Sequence, residues 1–238
     1  MTVATRSHRG AFVQEERAGA LACGAGAEVE SFLESVVPCS ACVFGSQGRF
    51  LDDASLLEKP WEISVSSSVR KREFVAGRIA ASMALEKLGF SPSFLPRGER
   101  GEPIWPRGVT GSISHTGDLC LCLVALTEGC ESVGVDIERV ERVDPGLARR
   151  VMTCAERGEL EGLKGESLVK RVASVFSAKE AYYKLQYPLT GRFVGFCEVE
   201  VSFCAGGEFW VVPLVEGLPR ARGAHLLVDG VVVSVVWK

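Results

Sequence analysis

Histidine is scarce in this chain, with three in 238 residues. His8, His115 and His225 cannot supply a histidine-rich metal cage. Cys39-Ser40-Ala41-Cys42 is a lone C-x-x-C with no second pair at zinc-ligand spacing, so a structural zinc site is not expected. No run of about 18 apolar residues occurs, which excludes a membrane-spanning helix. There is no G-x-x-x-x-G-K-[ST] loop, which argues against a P-loop nucleotide site. The nearest approach to a hydrolase nucleophile elbow centres on Ser114, but Ser112 and Thr116 stand where that turn needs glycine. Nor is there an excess of positive charge. At a net charge of −3, bulk attraction to nucleic acid or to an anionic membrane is not expected. A secretory leader is not expected either, because Gln14, Glu15, Glu16 and Arg17 interrupt what would be its apolar core. The chain reads as cytoplasmic.

What is present suffices for a full core: 47% of residues are hydrophobic and 24% charged. The length fits one large domain or two of half the size. Nine cysteines is a high and odd number. Cys120 and Cys122 lie in an apolar run, Leu119 to Leu126, where thiols act as small hydrophobes, and reduced thiols in a reducing compartment are expected. Charge is unevenly spread. Residues 60–110 carry eight Lys/Arg against five acids, and residues 118–166 carry six against eleven. The first segment favours a polyanion and the second a cation.

Residues 1–30, rich in Ala, Gly and Glu, read as a mobile tail. An extended run is expected at 41–44, then a helix from the serines at 66–68 to a stop at Gly89. A Pro/Arg/Gly-rich loop leads to strands at 111–114 and 119–126. The second half restarts with a strand near 132–137. Helical turns at 145–163 and a long helix at 167–185, closed by Pro188 and Gly191, follow. Strands at 197–203 and 208–213 come next, then a hairpin at 225–236 turning on Asp229-Gly230. The boundary falls near Glu131, dividing an N-terminal subdomain at 31–131 from a C-terminal one at 132–238.

Two segments carry chemistry. In Gly134-Val135-Asp136-Ile137-Glu138 the two carboxylates leave one face of a strand. In Phe176-Ser177-Ala178-Lys179-Glu180-Ala181-Tyr182-Tyr183-Lys184, Glu180 and Lys184 share a helical face, with Lys179 beside them. Three carboxylates and two lysines suit a divalent cation that holds a pyrophosphate. Arg70-Lys71-Arg72 forms a basic helix start.

These segments, with Ala76-Gly77-Arg78, Pro103-Ile104-Trp105-Pro106 and Gly111-Ser112-Ile113-Ser114-His115-Thr116, resemble in type and order the 4′-phosphopantetheinyl transferases, particularly the enterobactin-synthetase-associated branch. The resemblance implies an α/β (α+β) fold of two pseudo-twofold-related subdomains, each a small, mainly antiparallel sheet packed with a long helix. It implies transfer of 4′-phosphopantetheine from coenzyme A to a serine of an apo acyl or peptidyl carrier protein, by a monomer using Mg²⁺ or Mn²⁺. Asp136, Glu138 and Glu180 would be the metal ligands, with Glu180 also a general base. Lys179 and Lys184 would hold phosphates, and Lys184 shares the Glu180 face. Arg72, Arg78, Ser114 and His115 would contact coenzyme A phosphate, Arg78 having a structural alternative. Glu102 stands where some relatives carry lysine, and Arg100 or Arg97 would be its substitute, Arg100 being the one assigned to coenzyme A. Trp105 and Pro106 are expected to shape their loop. Arg149, Arg150, Val151 and Met152 are the candidate carrier contact. The alternatives are a module that binds coenzyme A or a carrier without catalysis, and another Mg²⁺-dependent nucleotide phosphotransferase.

Overall fold

The computed structural model describes residues 16–52, 68–91, 95–98 and 101–238. Helix α1 (Glu16–Val36) leads into strand β1 (Ser40–Ser46), a short helix α2 (Gln47–Asp52) and helix α3 (Ser68–Lys87). Strands β2 (Val109–Thr116) and β3 (Leu119–Leu126) complete an antiparallel sheet in the order β1-β3-β2. The second half contains β4 (Val133–Arg139), the short helices α4 (Ala148–Val151) and α5 (Cys154–Gly158), and the long α6 (Gly165–Thr190). Strands β5 (Val199–Phe203), β6 (Glu208–Pro213), β7 (Ala221–Val228) and β8 (Val231–Trp237) join β4 in a five-stranded antiparallel sheet, β4-β8-β7-β6-β5. Each half is therefore built on an antiparallel sheet, with α3 packed on the first and α6 on the second as expected, and α1 adds a second long helix to the first half.

Period-2 alternation divides β3 between two cores. Cys120, Cys122 and Val124 face α3, where Ala76, Ile79, Ala80 and Ala84 are buried. Leu119, Leu121, Leu123 and Ala125 face the other way, onto Val133, Val135 and Ile137 of β4 and Val231, Val233 and Val235 of β8. The opposite face of the five-stranded sheet packs on α6 through Val172, Val175, Ala178, Ala181 and Tyr182. The buried thiols behave as hydrophobes. Burial pushes Cys120 up to about 12 and raises Cys42 and Cys122 well above the usual thiol range.

Two elements differ from the sequence expectation. The second part of the expected tail is helical: α1 begins at Glu16, and Ala25, Val29 and Leu33, spaced by four, form one buried apolar stripe, of which Val29 and Leu33 enter the shared core. Helix α6 also runs past Leu185 to Thr190, with Pro188 inside it. Proline in a last turn removes only one backbone donor. The end is held by Thr190 Oγ1 donating to Gln186 Oε1 at 2.6 Å and Gln186 Nε2 donating to Arg192 O at 3.0 Å. Gly191, at φ +64°, then ends the helix in the left-handed conformation. No described helix is long and apolar enough to cross a membrane.

Candidate active site

On β4, Gly134, Asp136 and Glu138 alternate onto the face covered by α6. The missing side chain at Gly134 lets the helix settle on the strand, which brings Lys184 to Asp136 at 2.8 Å. Strand β2 approaches the free edge of β4 from the other side. Its register is bridged by hydroxyls rather than by a peptide ladder. Val135 N donates to Ser112 Oγ at 3.0 Å, and Ile137 N donates to Ser114 Oγ at 3.3 Å. The alternating serines therefore satisfy two backbone donors that would otherwise be orphaned in the interior.

A polar knot forms where the three elements meet. Lys184 Nζ donates to Ser114 Oγ at 2.9 Å, Val135 O at 3.0 Å and Asp136 Oδ1 at 2.8 Å. Ser114 Oγ donates to Asp136 Oδ1 at 2.9 Å. Asp136 is 4% exposed, and its Oδ2 is buried without a hydrogen-bond partner. Burial first, and then the Asp136 charge, push Glu138 up to about 7 against the pull of Lys184. Glu180 adds to that shift and a hydrogen bond with Thr116 reduces it. Glu180 is raised by burial and by Asp136, and Lys184 again opposes. The three acids thus share one electrostatic neighbourhood that a single ammonium does not neutralise.

Among the described residues, no three His, Cys, Asp or Glu side chains are grouped closely enough to enclose a cation. Asp136 is instead engaged by Lys184. The donor set still fits a hard divalent ion: oxygen ligands only, one of them a buried carboxylate oxygen with no partner, and two more carboxylates raised by burial and by the Asp136 charge.

The knot lies at the edge of a cleft of about 600 Å³. Arg78, His115 and Lys184 line it, together with Phe74, Trp105, Tyr183 and Tyr187. Arg78 is 5% exposed and lies 4.5 Å from the Phe74 ring centroid. Its Nε donates to Leu95 O at 3.1 Å while Nη2 has no partner. Burial lowers the guanidinium to about 10, so it keeps its charge at neutral pH. A second pocket of about 230 Å³ adjoins Glu180, walled by Tyr182, Tyr183, Phe193, Val194 and Phe196. Tyr183 borders both.

Several expectations need correction. Lys179 is 2% exposed and is absent from the lining of the larger cleft, although it borders the smaller pocket beside Glu180. Its three N–H groups go to Glu156 Oε2 at 2.6 Å, Val151 O at 2.9 Å and Phe196 O at 2.8 Å. Burial lowers the ammonium despite that partner. It is a core tie rather than a phosphate ligand, because it falls in the apolar stripe of α6. Ser114 is buried and has its hydroxyl filled by protein groups, so it does not face the cleft. Arg72 is exposed and outside the cleft lining. Trp105 does more than shape its loop: it packs against Gly111 and lines the cleft. Val151 and Met152 are buried, at 1% and 0%, and cannot meet a carrier. Arg100 lies outside the described residues.

The aromatic wall was not foreseen. Tyr183 and Tyr187 stack at 5.7 Å, and Tyr183 meets Phe193 edge-on at 6.0 Å. The i, i+4 spacing on the Lys184 face was the available signal.

Residues 59–125 match the 4′-phosphopantetheinyl transferase N-terminal domain, and residues 132–236 match the 4′-phosphopantetheinyl transferase superfamily. The chain is 36% identical to the 4′-phosphopantetheinyl transferase Npt of Nocardia iowensis over 195 residues, covering 74% of this chain and 87% of the relative. It is 31% identical to PptT of Mycobacterium tuberculosis over 173 residues, 72% of each chain. Enterobactin synthase component D of Escherichia coli is 37% identical over 119 residues, 48% of this chain and 54% of that one. The chain belongs to the 4′-phosphopantetheinyl transferase family and is an enzyme of that class.

Proposed function

We propose that this enzyme moves the 4′-phosphopantetheine arm of coenzyme A onto a serine of an apo carrier protein, in a Mg²⁺-dependent reaction at the β4–α6 contact. The observation that carries this reading is one buried carboxylate, Asp136, held between Ser114 and Lys184 at the rim of a cleft that both halves build.

The cleft takes the nucleotide end of coenzyme A. Arg78 has a guanidinium nitrogen without a partner, and His115 sits exposed in the lining. Both suit a phosphate monoester. The apolar pocket behind Tyr183 suits the pantetheine arm. Asp136, Glu138 and Glu180 would hold Mg²⁺, or Mn²⁺ in its place. The ion supplies charge neutralisation on the pyrophosphate when bound.

The chain's own groups do the rest. Glu180, whose raised proton affinity suits a base near neutral pH, takes the proton of the incoming serine. The serine oxygen bonds to the β-phosphorus, and the bond from that phosphorus to the bridging oxygen breaks. Adenosine 3′,5′-bisphosphate departs. Lys184 steadies the phosphates after exchanging one of its three protein acceptors for a phosphate oxygen. Because both halves of the cleft come from one chain, we read the active form as a monomer. Its free thiols, exposed and buried alike, suit the reducing cytoplasm.

The test is incubation with coenzyme A, Mg²⁺ and an apo carrier protein, followed by mass spectrometry of the carrier serine. Glu180→Gln is expected to slow transfer by about 10²–10⁴-fold, the usual range for loss of a general base. Transfer at an unchanged rate in that variant would overturn the role given to Glu180.

A further inference from the structure

We propose that Ser114 is a positioning residue that sorts the two oxygens of Asp136, giving Oδ1 to Lys184 and keeping Oδ2 for a divalent cation. This rests on the reading of Asp136 as a cation ligand.

A hydroxyl has one proton and two acceptor sites. Both acceptor sites of Ser114 are filled, by Lys184 Nζ at 2.9 Å and by Ile137 N at 3.3 Å. The proton is therefore committed to Asp136 Oδ1 at 2.9 Å. Lys184 is equally committed, with its three N–H groups on Ser114, Val135 O and Asp136 Oδ1. One carboxylate oxygen thus receives two donors, and the other, buried, receives none. Turning the carboxylate would break both bonds at Oδ1. The backbone N–H of Ile137, one residue beyond Asp136, fixes the hydroxyl from behind.

This geometry separates two roles that the Ser-His motif leaves together. His115, exposed and in the cleft lining, can meet a ligand; Ser114, filled and 4% exposed, cannot. Ser112 is an internal control. It makes the same kind of backbone bridge, to Val135 N at 3.0 Å.

The experiment uses the full chain and measures two affinities separately. Mn²⁺ binding is followed by electron paramagnetic resonance without coenzyme A, and coenzyme A binding by calorimetry in EDTA. Groups that orient metal ligands typically shift affinity at least tenfold, so Ser114→Ala is expected to weaken Mn²⁺ about tenfold and change coenzyme A affinity less than about twofold. Ser114→Thr, which keeps the hydroxyl, should bind Mn²⁺ like the wild type even if the alanine variant folds poorly. Ser112→Ala should lower the melting temperature without moving Mn²⁺ affinity. Unchanged Mn²⁺ affinity in Ser114→Ala, with or without weakened coenzyme A binding, would overturn the proposal. Equal weakening by Ser112→Ala would reduce Ser114 to a structural role and overturn it too. Absence of Mn²⁺ binding by the wild type, or full binding by Asp136→Asn, would remove the cation reading itself and the proposal with it.

Discussion

Gly134 and Ala181 stand as close as two backbones allow. A Cβ on Gly134 would overlap the Ala181 carbonyl oxygen and lie 2.7 Å from the Leu185 nitrogen. Glycine is required here for proximity, since this residue has no positive φ. The contact sets the height of α6 above β4, and with it the reach of Lys184 to Asp136. Gly134→Ala is expected to cost about 1–3 kcal/mol through overpacking, a melting shift of roughly 3–10 °C. Transfer should fall further than stability does, because the Lys184–Asp136 pair is pried apart. A single-turnover assay well below the melting temperature checks this. Normal turnover in a folded variant would contradict it.

Lys179 and Glu156 form an ion pair with side chains 1% and 2% exposed. Glu156 also accepts from Thr153 N and Val201 N, each at 2.7 Å, so the pair ties α5, β5 and α6 together. Removing one partner of a buried pair costs about 3–5 kcal/mol. Lys179→Met should therefore lower the melting temperature by about 10 °C at this chain size. Its coenzyme A affinity, measured by calorimetry, should match the wild type. A stable variant with weakened coenzyme A binding would return this lysine to the phosphate.

The raised proton affinity of Glu138 has a signed consequence. Its carboxyl lies near 4.5 when unperturbed and about 7 in the fold. Between those values the folded state holds more protons than the unfolded state, so this group's contribution makes stability fall as pH rises through that window. Glu180 is shifted in the same direction. A divalent cation needs both groups ionised, so its stabilising effect should grow over the same interval. Melting curves in EDTA should decline from pH 5 to pH 7.5. Mg²⁺ at a hundred times its dissociation constant should restore about 2.7 kcal/mol at the higher pH and much less at the lower. An equal Mg²⁺ effect at both pH values would count against the acid cluster as its site.

Two arginines of α3 should behave differently. Arg78 lines the cleft and has a buried guanidinium nitrogen without a partner, and Arg72 is exposed outside the lining. A hydrogen bond to a charged group is worth about 1.5–3 kcal/mol, so Arg78→Ala should weaken coenzyme A roughly 10–100-fold. Arg72→Ala should leave it nearly unchanged. Calorimetry on both variants tests the contrast, and the reverse ranking would place the phosphate at the start of α3.

Much of the fold was legible because its signals are periodic. The unbroken apolar run of β3 and the apolar spacing in α6 announced elements that lie buried where the pattern put them. Asp136 and Glu138 were legible as partners because a strand sends alternate residues to one face. The role of Lys179 was half legible. It falls in register with Val172, Val175 and Tyr182, the buried stripe, so helix phase alone turned it from the face of Glu180 and Lys184. Its partner was not legible: Glu156 lies 23 residues upstream among other acids, and only the tertiary packing selects it. The helical part of the expected tail escaped because Ala and Gly hide a stripe that rests on Ala25, Val29 and Leu33. The serine bridges escaped because alternation shows that Ser112 and Ser114 share a side, and says nothing of which strand lies opposite.

The burial of the sulfur atoms in β1 and β3 makes the sheet its own reporter. Cys42, Cys120 and Cys122 are shielded, and their proton affinity keeps thiolate negligible near neutrality. Cys39, Cys154, Cys197 and Cys204 are open to an alkylating reagent. Modification of the second set with sparing of the first marks an intact N-terminal half. Labelling that spreads to the first set dates the moment at which β1 and β3 come apart.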